Sequence, residues 1–354
     1  MKSIQATDYF IHFHQDGFKK LNSYIFENDP SKIIILVDKN TKKDCLPYFE
    51  TKLKTSIQTA VIEINAGEIH KNIDTCVDAW NALAELNTDR KSLLINLGGG
   101  MVTDLGGFVA STFKRGIRFI NIPTTLLSIV DASVGSKTGV DLGTLKNLIG
   151  LFSNPEMVVI DTKFLDTVPQ RELHSGLAEV IKYGLTYDVN LWNSIKKNDL
   201  FNSHLNEIIY RSIEIKNEVV IQDPREKGLR KVLNFGHTIG HAIESFFLES
   251  EDKETLTHDE AIAIGMVIES YFSYKLYNFP KEELSNIKSK IIDLFGKVEI
   301  SNNDYASIID LMKYDKKNIG DTINFVLLNN LADFNIDCKV SDDLLIDGFK
   351  YYEK

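Results

Sequence analysis

Hydrophobic and polar positions follow two different rhythms along the first half of the chain. Short apolar runs, rich in β-branched residues, alternate with longer stretches in which apolar residues recur every three or four positions. The short runs predict buried strands, and the longer stretches predict amphipathic helices. Strands that alternate with helices are typical of a parallel α/β sheet. We predict strands at Lys32–Val37, Thr59–Ile64, Ser92–Leu97, Phe119–Ile122 and Met157–Ile160, and helices at Ile73–Leu86 and Val102–Phe113.

The pattern changes between Asp161 and Pro169, beyond which strand-like runs become rare. Apolar residues there follow the period of an α-helix. We therefore predict an α/β N-terminal domain over residues 1–167 and an all-α C-terminal domain over residues 168–354. The helices predicted for the second domain are Arg171–Tyr183, Leu205–Gln222, Leu229–Phe247, His258–Tyr277 and Pro280–Leu294.

Charge and composition argue against several classes of protein. The chain has 40 Lys and Arg against 50 Asp and Glu, and this net charge of −10 is unlike that of a nucleic-acid-binding surface. No apolar run of about 18 residues occurs, so no membrane partner is expected. The polar N-terminal stretch does not resemble a signal peptide. Cys45, Cys76 and Cys338 form no CxxC pair, which indicates reduced thiols and a cytoplasmic location.

A glycine-rich turn follows the third predicted strand, in the segment LGGGMVTDLGGFVAS. Glycines let a backbone approach a ligand closely, and the free N–H groups of a helix start favour phosphate. The GxGxxG fingerprint is not met, because Thr103 stands where its third glycine would be. The turn therefore indicates either a phosphate-binding loop or a tight packing turn. Asp104 is correspondingly either a ribose partner or a charge that complements the helix dipole.

Two histidines, His237 and His241, lie four positions apart in VLNFGHTIGHAIES. On one continuous helix they would share a face with Asn234 and Arg230. Such a face is unusual, because each of these side chains is costly to bury without a partner. The segment is therefore a candidate for a binding site.

His258 opens the next predicted helix, where Thr257 and Glu260 fit a capping box. The first turn of a helix disfavours protonation of an imidazole, and this suits a metal ligand. Glu179 is the third candidate ligand, and Lys182 lies one turn after it. One carboxylate and two imidazoles leave coordination positions open, as catalytic metal sites do. From the residues alone, each histidine could equally be a hydrogen-bonded core residue.

Basic residues are concentrated in and near the same segments. In an acidic protein such a concentration suggests a pocket for phosphate and carboxylate groups. The alternative is a set of ordinary solvated side chains. That alternative suits Lys137 and Lys146 least, because their stretch carries few other charges. The set comprises Arg115, Lys137, Lys146, Lys182, Lys216, Arg230, Lys316 and Lys317.

Six segments, in order, resemble the 3-dehydroquinate synthase family over roughly residues 32–330. Several segments in order are far more specific than any single motif. The segments are GGGMVTDLGGFVASTFKRG, IPTTLLSIVDASVGSKTGVD, LKNLIG, ELHSGLAEVIKYG, LNFGHTIGHAIE and HDEAIAIGM.

The resemblance implies a Rossmann-like NAD-binding domain followed by a helical metal- and substrate-binding domain. It implies that Glu179, His237 and His258 hold one Zn²⁺ or Co²⁺ ion. The residues implied to contact NAD are Asp38, Asn40, Glu68, Lys71, Gly99, Gly100, Met101, Val102, Thr103, Asp104, Thr124, Thr125, Lys137, Lys146, Phe164, Leu165, Asp166 and Thr167.

The resemblance also implies a small anionic sugar-phosphate substrate. Arg115 resembles an arginine that reaches the phosphate of a neighbouring subunit, so a homodimer is implied. The residues implied to face the substrate are Asp131, Lys137, Asn147, Lys182, Lys216, Arg230, Asn234, His241 and Lys316.

The reaction implied by the resemblance converts 3-deoxy-D-arabino-heptulosonate 7-phosphate into 3-dehydroquinate and phosphate, a step of the shikimate pathway. NAD oxidises the C5 hydroxyl, and the metal polarises that oxygen as a Lewis acid. Phosphate is then eliminated, the hydride returns, the ring opens and an intramolecular aldol reaction closes the carbocycle. The cofactor supplies the redox chemistry, and the protein supplies placement and electrostatics.

Two positions depart from the family pattern. Ser136 stands where most members have a second glycine, in VGSKTG, and the metal-helix motif has HDE where the family has HGE. Ser136 lies in the loop that carries Lys137. We therefore expect this departure to affect substrate binding more than the fold.

Three other functions remain open. The first is a sugar-phosphate cyclase that acts on a different phosphate. The second is a metal-dependent polyol dehydrogenase with the same two-domain plan, against which the basic residues argue. The third is a non-catalytic nucleotide-binding module, against which the retention of every expected ligand and lysine argues.

Overall fold

The computed structural model describes residues 1–143, 145–197, 204–313 and 323–354. The chain forms two compact units. Unit 1 comprises Met1–Leu173 and Lys216–Ile221, and unit 2 comprises His174–Ile215 and Gln222–Lys354. The domain limits expected from the sequence, 1–167 and 168–354, stay a prediction.

Unit 1 is built from short strands and helices that alternate along the chain. The strands are β1 (Ile4–Gln5), β2 (Phe10–Phe13), β3 (Ile33–Asp38), β4 (Thr59–Ile64), β5 (Leu93–Gly98), β6 (Arg118–Pro123), β7 (Lys137–Leu142), β8 (Leu145–Phe152) and β9 (Met157–Ile160). The helices are α1 (His14–Asn28), α2 (Lys39–Asp44), α3 (Leu46–Lys52), α4 (Ile73–Glu85) and α5 (Gly100–Thr112).

Seven of these strands form one sheet in the order β1-β2-β9-β6-β5-β3-β4. β1 pairs with β2 in antiparallel fashion, and the other neighbouring strands are parallel. The chain therefore leaves β3 towards β4 on one side and returns to β5 on the other. Ligands of doubly wound sheets bind outside the carboxyl ends of the strands at such a switch point. The predicted parallel α/β fold is confirmed.

Both faces of the sheet are buried at its centre, which explains why its central strands are largely apolar. In β3, Ile33, Ile35 and Val37 belong to the core on one face, and Ile34 and Leu36 belong to the core on the other. Alternate side chains of a strand point to opposite faces, and a parallel sheet is covered by helices on both. Each such side chain contributes roughly 1.5–3 kcal/mol when it is fully buried.

A hairpin of β7 and β8 lies outside the main sheet and was not predicted. Its glycines interrupt the alternation on which strand prediction depends. Helix α5 approaches it closely: a Cβ on Gly107 would lie 2.4 Å from Cγ2 of Thr138. Helix α5 also approaches the main sheet closely: a Cβ on Gly106 would lie 2.1 Å from Oδ1 of Asn96 in β5. These two glycines of α5 are therefore required for packing.

Unit 2 is mainly helical. Its helices are α6 (Gln170–His174), α7 (Leu177–Thr186), α8 (Val189–Lys197), α9 (Leu205–Gln222), α10 (His237–Glu249), α11 (His258–Tyr277), α12 (Lys281–Phe295), α13 (Tyr305–Met312) and α14 (Asp342–Glu353), with α6 and α9 extending into unit 1. The helical second region is confirmed. The structure adds an antiparallel hairpin of β10 (Phe325–Asn330) and β11 (Asp333–Cys338), so this region is not purely α.

Two predicted helices are wrong, because each is broken at a glycine. The predicted helix Arg171–Tyr183 is divided into α6 and α7 at Gly176, which has φ 96°. The predicted helix Leu229–Phe247 is a 3₁₀ helix, Leu229–Asn234, followed by α10, with Gly236 at φ 80° between them. A positive φ is accessible to glycine but interrupts a right-handed helix.

Helix α11 forms the centre of unit 2 and packs closely against α10. A Cβ on Gly265 of α11 would lie 2.0 Å from the carbonyl oxygen of Gly236 and 2.9 Å from the nitrogen of Gly240. The backbones of the two helices therefore meet at these three glycines. Although α11 is largely apolar, no helix among the described residues combines the length and hydropathy needed to cross a membrane.

Candidate functional site

Three histidines converge in unit 2. His237 and His241 lie on α10, and His258 is the first residue of α11. The centroids of their rings are 5.4, 5.6 and 5.5 Å apart, and each offers a ring nitrogen within 4.8 Å of the others. This is the spacing of side chains that can share one metal ion.

Glu179, in the first turn of α7, joins this cluster. Its Oε1 lies 3.4 Å from Nε2 of His237, and its side chain is 1% exposed. With His258 and Asp259 it forms a second group whose ligand atoms lie within 4.8 Å of one another. Glu179 also forms an ion pair with Lys182, which is equally buried. The structure thus brings together the three predicted ligands Glu179, His237 and His258, and adds His241 and Asp259 beside them.

Two further contacts orient the imidazoles. Nδ1 of His258 lies 2.8 Å from a carboxylate oxygen of Glu244, and Nδ1 of His237 lies 3.2 Å from the carbonyl oxygen of Phe235. Both partners are acceptors, so Nδ1 of each ring donates, and Nε2 is the nitrogen through which the neutral ring can bind a metal ion. Metal-binding histidines are oriented in this way by carboxylates and carbonyls.

Three carboxylates surround the imidazole of His258. Burial alone would lower the pKa of His258, but Glu244, Asp259 and Glu179 raise it to about 9. A divalent cation would be stabilised by the same charges, and it would displace the proton.

Local sequence explains why two of the histidines begin helices. The positive φ of Gly236 ends the preceding segment, and its N–H donates to Glu269 at 2.8 Å, so α10 starts at His237. The predicted capping box is confirmed: Thr257 and Glu260 satisfy each other's backbone N–H groups, so α11 starts at His258.

Arg230 and Asn234 do not share a helical face with His237 and His241, because the helix is interrupted at Gly236. They lie instead on the 3₁₀ helix. Arg230 is 2% exposed and donates to the carbonyl oxygen of Pro224 at 2.9 Å, and Asn234 donates to Glu226 at 2.8 Å. The expectation of one continuous polar stripe was therefore wrong.

In unit 1, the residues expected to contact NAD gather at the carboxyl edge of the parallel sheet. Asp38 ends β3 and caps α2, accepting from the N–H of Thr41 at 2.7 Å. Gly99 and the first turn of α5 follow β5, and Thr124 and Thr125 follow β6. The 3₁₀ helix Thr162–Thr167 follows β9, and the 3₁₀ helix Glu68–His70 follows β4.

The side chains within this set differ in exposure. Phe164 and Leu165 are buried, and Phe164 packs edge-on against Tyr48 with ring centroids 5.3 Å apart. Val102 and Thr103 are buried on α5 as well. Any nucleotide contact from these residues would therefore come from the backbone. Asn40 is exposed on α2.

Lys71 is the buried centre of an ionic network in unit 1. Its Nζ donates to Asp104 Oδ2 and to Asn147 Oδ1, both at 2.6 Å, and lies 3.6 Å from Glu68. Burial would lower its pKa, but Asp104, Glu68 and Asp141 raise it above the usual value. Asp104 is thus neither an exposed dipole charge nor a free side chain, since it is an ion-pair partner of Lys71.

Asp141 fixes the neighbouring lysine and asparagine of the hairpin. Its Oδ1 accepts from the N–H of Asn147 at 2.6 Å, and its Oδ2 lies 3.2 Å from Nζ of Lys146. Asn147 has φ 51°, a left-handed conformation that this bond supports. The structure therefore places the side chain of Asn147 with the residues expected to bind NAD, although the sequence assigned it to the substrate.

Lys216 is paired with Asp131, another residue expected to face the substrate. Its Nζ lies 2.6 Å from Oδ1 of Asp131, and its side chain is 6% exposed. Lys137, at the start of β7, is exposed. Arg115 is exposed at the end of the 3₁₀ turn after α5, at the opposite end of that helix from the glycine-rich turn. Lys316 lies outside the described residues.

Comparisons with known proteins match both halves of the chain. The family model "3-dehydroquinate synthase N-terminal" matches residues 61–175, and "3-dehydroquinate synthase C-terminal" matches residues 176–318. A curated 3-dehydroquinate synthase of Parabacteroides distasonis is 40% identical over 344 residues, covering 96% of each chain. One from Nitratiruptor is 40% identical and covers 92% of each chain. The chain belongs to the 3-dehydroquinate synthase family.

A solved structure shares the fold of this chain. A 2-deoxy-scyllo-inosose synthase, complexed with carbaglucose-6-phosphate, NAD⁺ and Co²⁺, is 23% identical and superposes with a TM-score of 0.85 over 99% of each chain. At this identity the likeness concerns the fold alone.

Glu244, Asp259 and Asp141 were not proposed as site residues from the sequence. A signal for Glu244 was available: it follows His237 and His241 at helical spacing in HTIGHAIE, so all three lie on one face of α10. Asp259 is the aspartate of the HDE departure from the family motif. It is fully buried beside His258, so the departure falls within the cluster itself.

Proposed function

We propose that this chain is a 3-dehydroquinate synthase that converts 3-deoxy-D-arabino-heptulosonate 7-phosphate into 3-dehydroquinate and phosphate. The observation that carries the proposal is the convergence of Glu179, His237 and His258 in a chain that matches curated 3-dehydroquinate synthases over nearly its whole length.

The residues of unit 2 fit a divalent metal ion. Two imidazoles have Nδ1 occupied by acceptors, a buried carboxylate lies beside them, and the local charge is negative. We propose that Glu179, His237 and His258 are the ligands, since an oxygen and two nitrogens suit Zn²⁺ or Co²⁺. His241 would then remain available to the substrate.

The residues of unit 1 fit a dinucleotide. The glycine-rich turn opens α5 at the carboxyl edge of the sheet, where N–H groups favour phosphate. Glu68 and Asp104 offer carboxylates to ribose hydroxyls, and Lys71 holds Asp104 in place. When bound, NAD would supply transient hydride transfer and the metal ion would supply Lewis acidity.

The chain's own part in the reaction is to bind and orient an anion. Lys137, Lys182, Lys216 and Arg230 would neutralise the phosphate and carboxylate of the substrate, and Asn234 would donate a hydrogen bond to it. Because the phosphate is a leaving group, cations that bind it also stabilise the charge it gains on elimination. The substrate's own phosphate would take the C6 proton, so no dedicated base is required.

We also propose a homodimer in which Arg115 serves the partner's site. Helix α5 has 13 residues and is therefore about 20 Å long, and Arg115 lies beyond its far end from the glycine-rich turn. Several apolar side chains of the β7–β8 hairpin are exposed in the single chain, among them Leu142, Leu148, Leu151 and Phe152. Exposed apolar surfaces of this kind support association. A cytoplasmic location is in keeping with the three free, buried cysteines.

A phosphate-release assay tests the proposed function. Heptulosonate phosphate should be turned over with NAD⁺, without net accumulation of NADH, and EDTA should abolish the activity. Glucose 6-phosphate and sedoheptulose 7-phosphate serve as alternative substrates. Turnover of either, with none of heptulosonate phosphate, would replace the proposal with another sugar-phosphate cyclase. Sustained NADH production from a simple polyol would replace it with a dehydrogenase.

A further inference from the structure

Ser136, which takes the place of a family glycine, has a backbone conformation that serine seldom adopts. Its φ is 67°, in the left-handed region, directly before Lys137. Residues other than glycine adopt this conformation at a cost in free energy, and they remain in it when surrounding contacts hold them. The contacts of Ser136 therefore reveal what holds the loop.

The hydroxyl of Ser136 begins a chain of side-chain hydrogen bonds. It donates to Oδ1 of Asn154, and Nδ2 of Asn154 donates to Oδ2 of Asp8 at 3.1 Å. The carbonyl oxygen of Ser136 accepts from the N–H of Ser153 at 2.8 Å. A glycine at position 136 would keep the backbone bond and lose the hydroxyl bond.

These hydrogen bonds end at Asp8, in the turn between β1 and β2 formed by residues 6–9. The same turn makes a second contact with the loop. It is closed by a bond from the N–H of Ala6 to the carbonyl oxygen of Tyr9, 2.9 Å long. The buried hydroxyl of Tyr9 accepts from the N–H of Gly135 at 3.1 Å. Gly135 and Ser136, the two residues before Lys137, are thus both tied to one turn.

The same N-terminal hairpin contacts the segment that carries the second substrate lysine of unit 1. Nδ2 of Asn217 donates to the carbonyl oxygen of Gln5 at 2.9 Å, and Asn217 is 5% exposed. Lys216, the residue before it, is already fixed by Asp131. Lys137, in contrast, is exposed and has a long flexible side chain. The place that its amine can reach therefore depends on the position of its backbone.

We propose that Ser136 is a positioning residue for Lys137: its hydroxyl, through Asn154, fastens the lysine loop to the N-terminal turn and so holds the lysine where the substrate anion binds. The inference rests on the proposed function, because it assumes that Lys137 faces the substrate. A fixed backbone lowers the cost of ordering the lysine when the anion arrives.

The variants Ser136→Ala and Asn154→Ala each remove the side-chain bond. Each should raise KM for heptulosonate phosphate about fivefold, the change expected when a hydrogen bond worth about 1 kcal/mol is lost. The value of kcat should stay within about twofold of wild type. Ser136→Gly should give the same rise in KM. Glycine adopts the left-handed conformation without strain, but it also lacks the hydroxyl. A Gly or Ala variant with wild-type KM overturns the proposal.

Ser153→Ala is the matched control, because Ser153 supports the loop through its backbone N–H, which alanine keeps. A double-mutant cycle separates positioning from general damage. In the Lys137→Ala background, Ser136→Ala should have no further effect on KM. A full additional effect there would mean that Ser136 acts elsewhere, which overturns the proposal.

Hydrogen exchange of residues 133–141 tests the inference without the reaction. The segment should exchange faster in Ser136→Ala than in wild type or Ser153→Ala, and equal rates overturn the proposal. If wild type released no phosphate from heptulosonate phosphate, the proposed function would fail. The exchange rates would still decide whether the hydroxyl holds the loop.

Discussion

The charged clusters of the two units are balanced in different ways. In unit 1 the carboxylates have lysine partners at hydrogen-bonding or ion-pair distance, and the buried Lys71 contacts more than one of them. In unit 2 the carboxylates surround the histidines: Lys182 pairs with Glu179, and Glu244 contacts His258. The carboxylates are Glu68, Asp104 and Asp141 in unit 1, and Glu179, Glu244 and Asp259 in unit 2.

The difference indicates what each cluster needs. Side chains alone largely neutralise the network around Lys71, so it can hold its shape before a nucleotide binds. In the cluster of unit 2, the nearby carboxylates raise the pKa of His258. Such a cluster takes up a proton or a cation. Metal removal should therefore disturb unit 2, and loss of an ion-pair partner should disturb unit 1.

The largest effect is expected in unit 2 from His237→Ala. The variant should lose its bound metal, and phosphate release should fall about a thousandfold, because Lewis acidity contributes several kcal/mol and each 1.36 kcal/mol is tenfold in rate. Metal content, turnover and circular dichroism would be measured together. His204→Ala, which removes an exposed histidine, should behave as wild type. Turnover in metal-free His237→Ala would show that the ligand assignment is wrong.

The corresponding change in unit 1 is Lys71→Met. It removes the cation but keeps most of the side-chain volume, and leaves Asp104 without its buried partner. We expect the free energy of unfolding to fall by about 3 kcal/mol, with weaker NAD binding. Urea denaturation and nucleotide titration measure the two effects. Lys19→Met, which breaks an exposed pair with Asp16, should leave the free energy of unfolding nearly unchanged. Equal effects of the two variants would refute a buried network.

Gly236→Ala tests whether backbone geometry sets the position of His237. A Cβ there would lie 2.5 Å from Cγ of Met266 and 2.9 Å from the carbonyl oxygen of Ile262. Gly296→Ala is a close control, since Gly296 has φ 79° but no neighbouring atom within 4 Å. Thermal and chemical unfolding should show Gly236→Ala to be the less stable by about 2 kcal/mol, with reduced metal affinity. If both variants bound metal normally, the glycine would not position the site.

A smaller effect is expected from Glu244→Gln. An amide oxygen can still accept from Nδ1 of His258, but the charge that raises its pKa is lost. Metal affinity should fall about tenfold, the lower end of what partners of metal-binding histidines contribute. Glu249→Gln, an exposed change on the same helix, should leave the affinity unchanged. An unchanged affinity in Glu244→Gln would remove the proposed orienting role.

The sequence predicted most of the main sheet of unit 1, because the central strands of that sheet are largely apolar. β4 and β9 have their predicted limits, and the order of strands and helices was enough to predict a parallel sheet. The hairpin of β7 and β8 was missed, because glycines and polar residues hide its alternation. The role of Asp141 depends on that hairpin and could not be predicted without it.

In unit 2 the sequence drew attention to Glu179, His237, His241 and His258, which the structure brings together, but it did not predict their geometry. The capping box predicted the start of α11 correctly. Periodicity alone continued two helices through Gly176 and Gly236, because a hydrophobic pattern carries no information about backbone φ. Close contact between α10 and α11 at Gly265 could only be recognised once the helices were packed.

The identity of the third ligand is the most direct test, because both Glu179 and His241 adjoin His237 and His258. Metal-free wild type, Glu179→Gln and His241→Ala would be titrated with Co²⁺ in a calorimeter. The account predicts one ion per chain for wild type, a loss of binding in Glu179→Gln, and near-normal binding with impaired turnover in His241→Ala. Retained binding in Glu179→Gln together with loss in His241→Ala would contradict it and assign the ion to the three histidines.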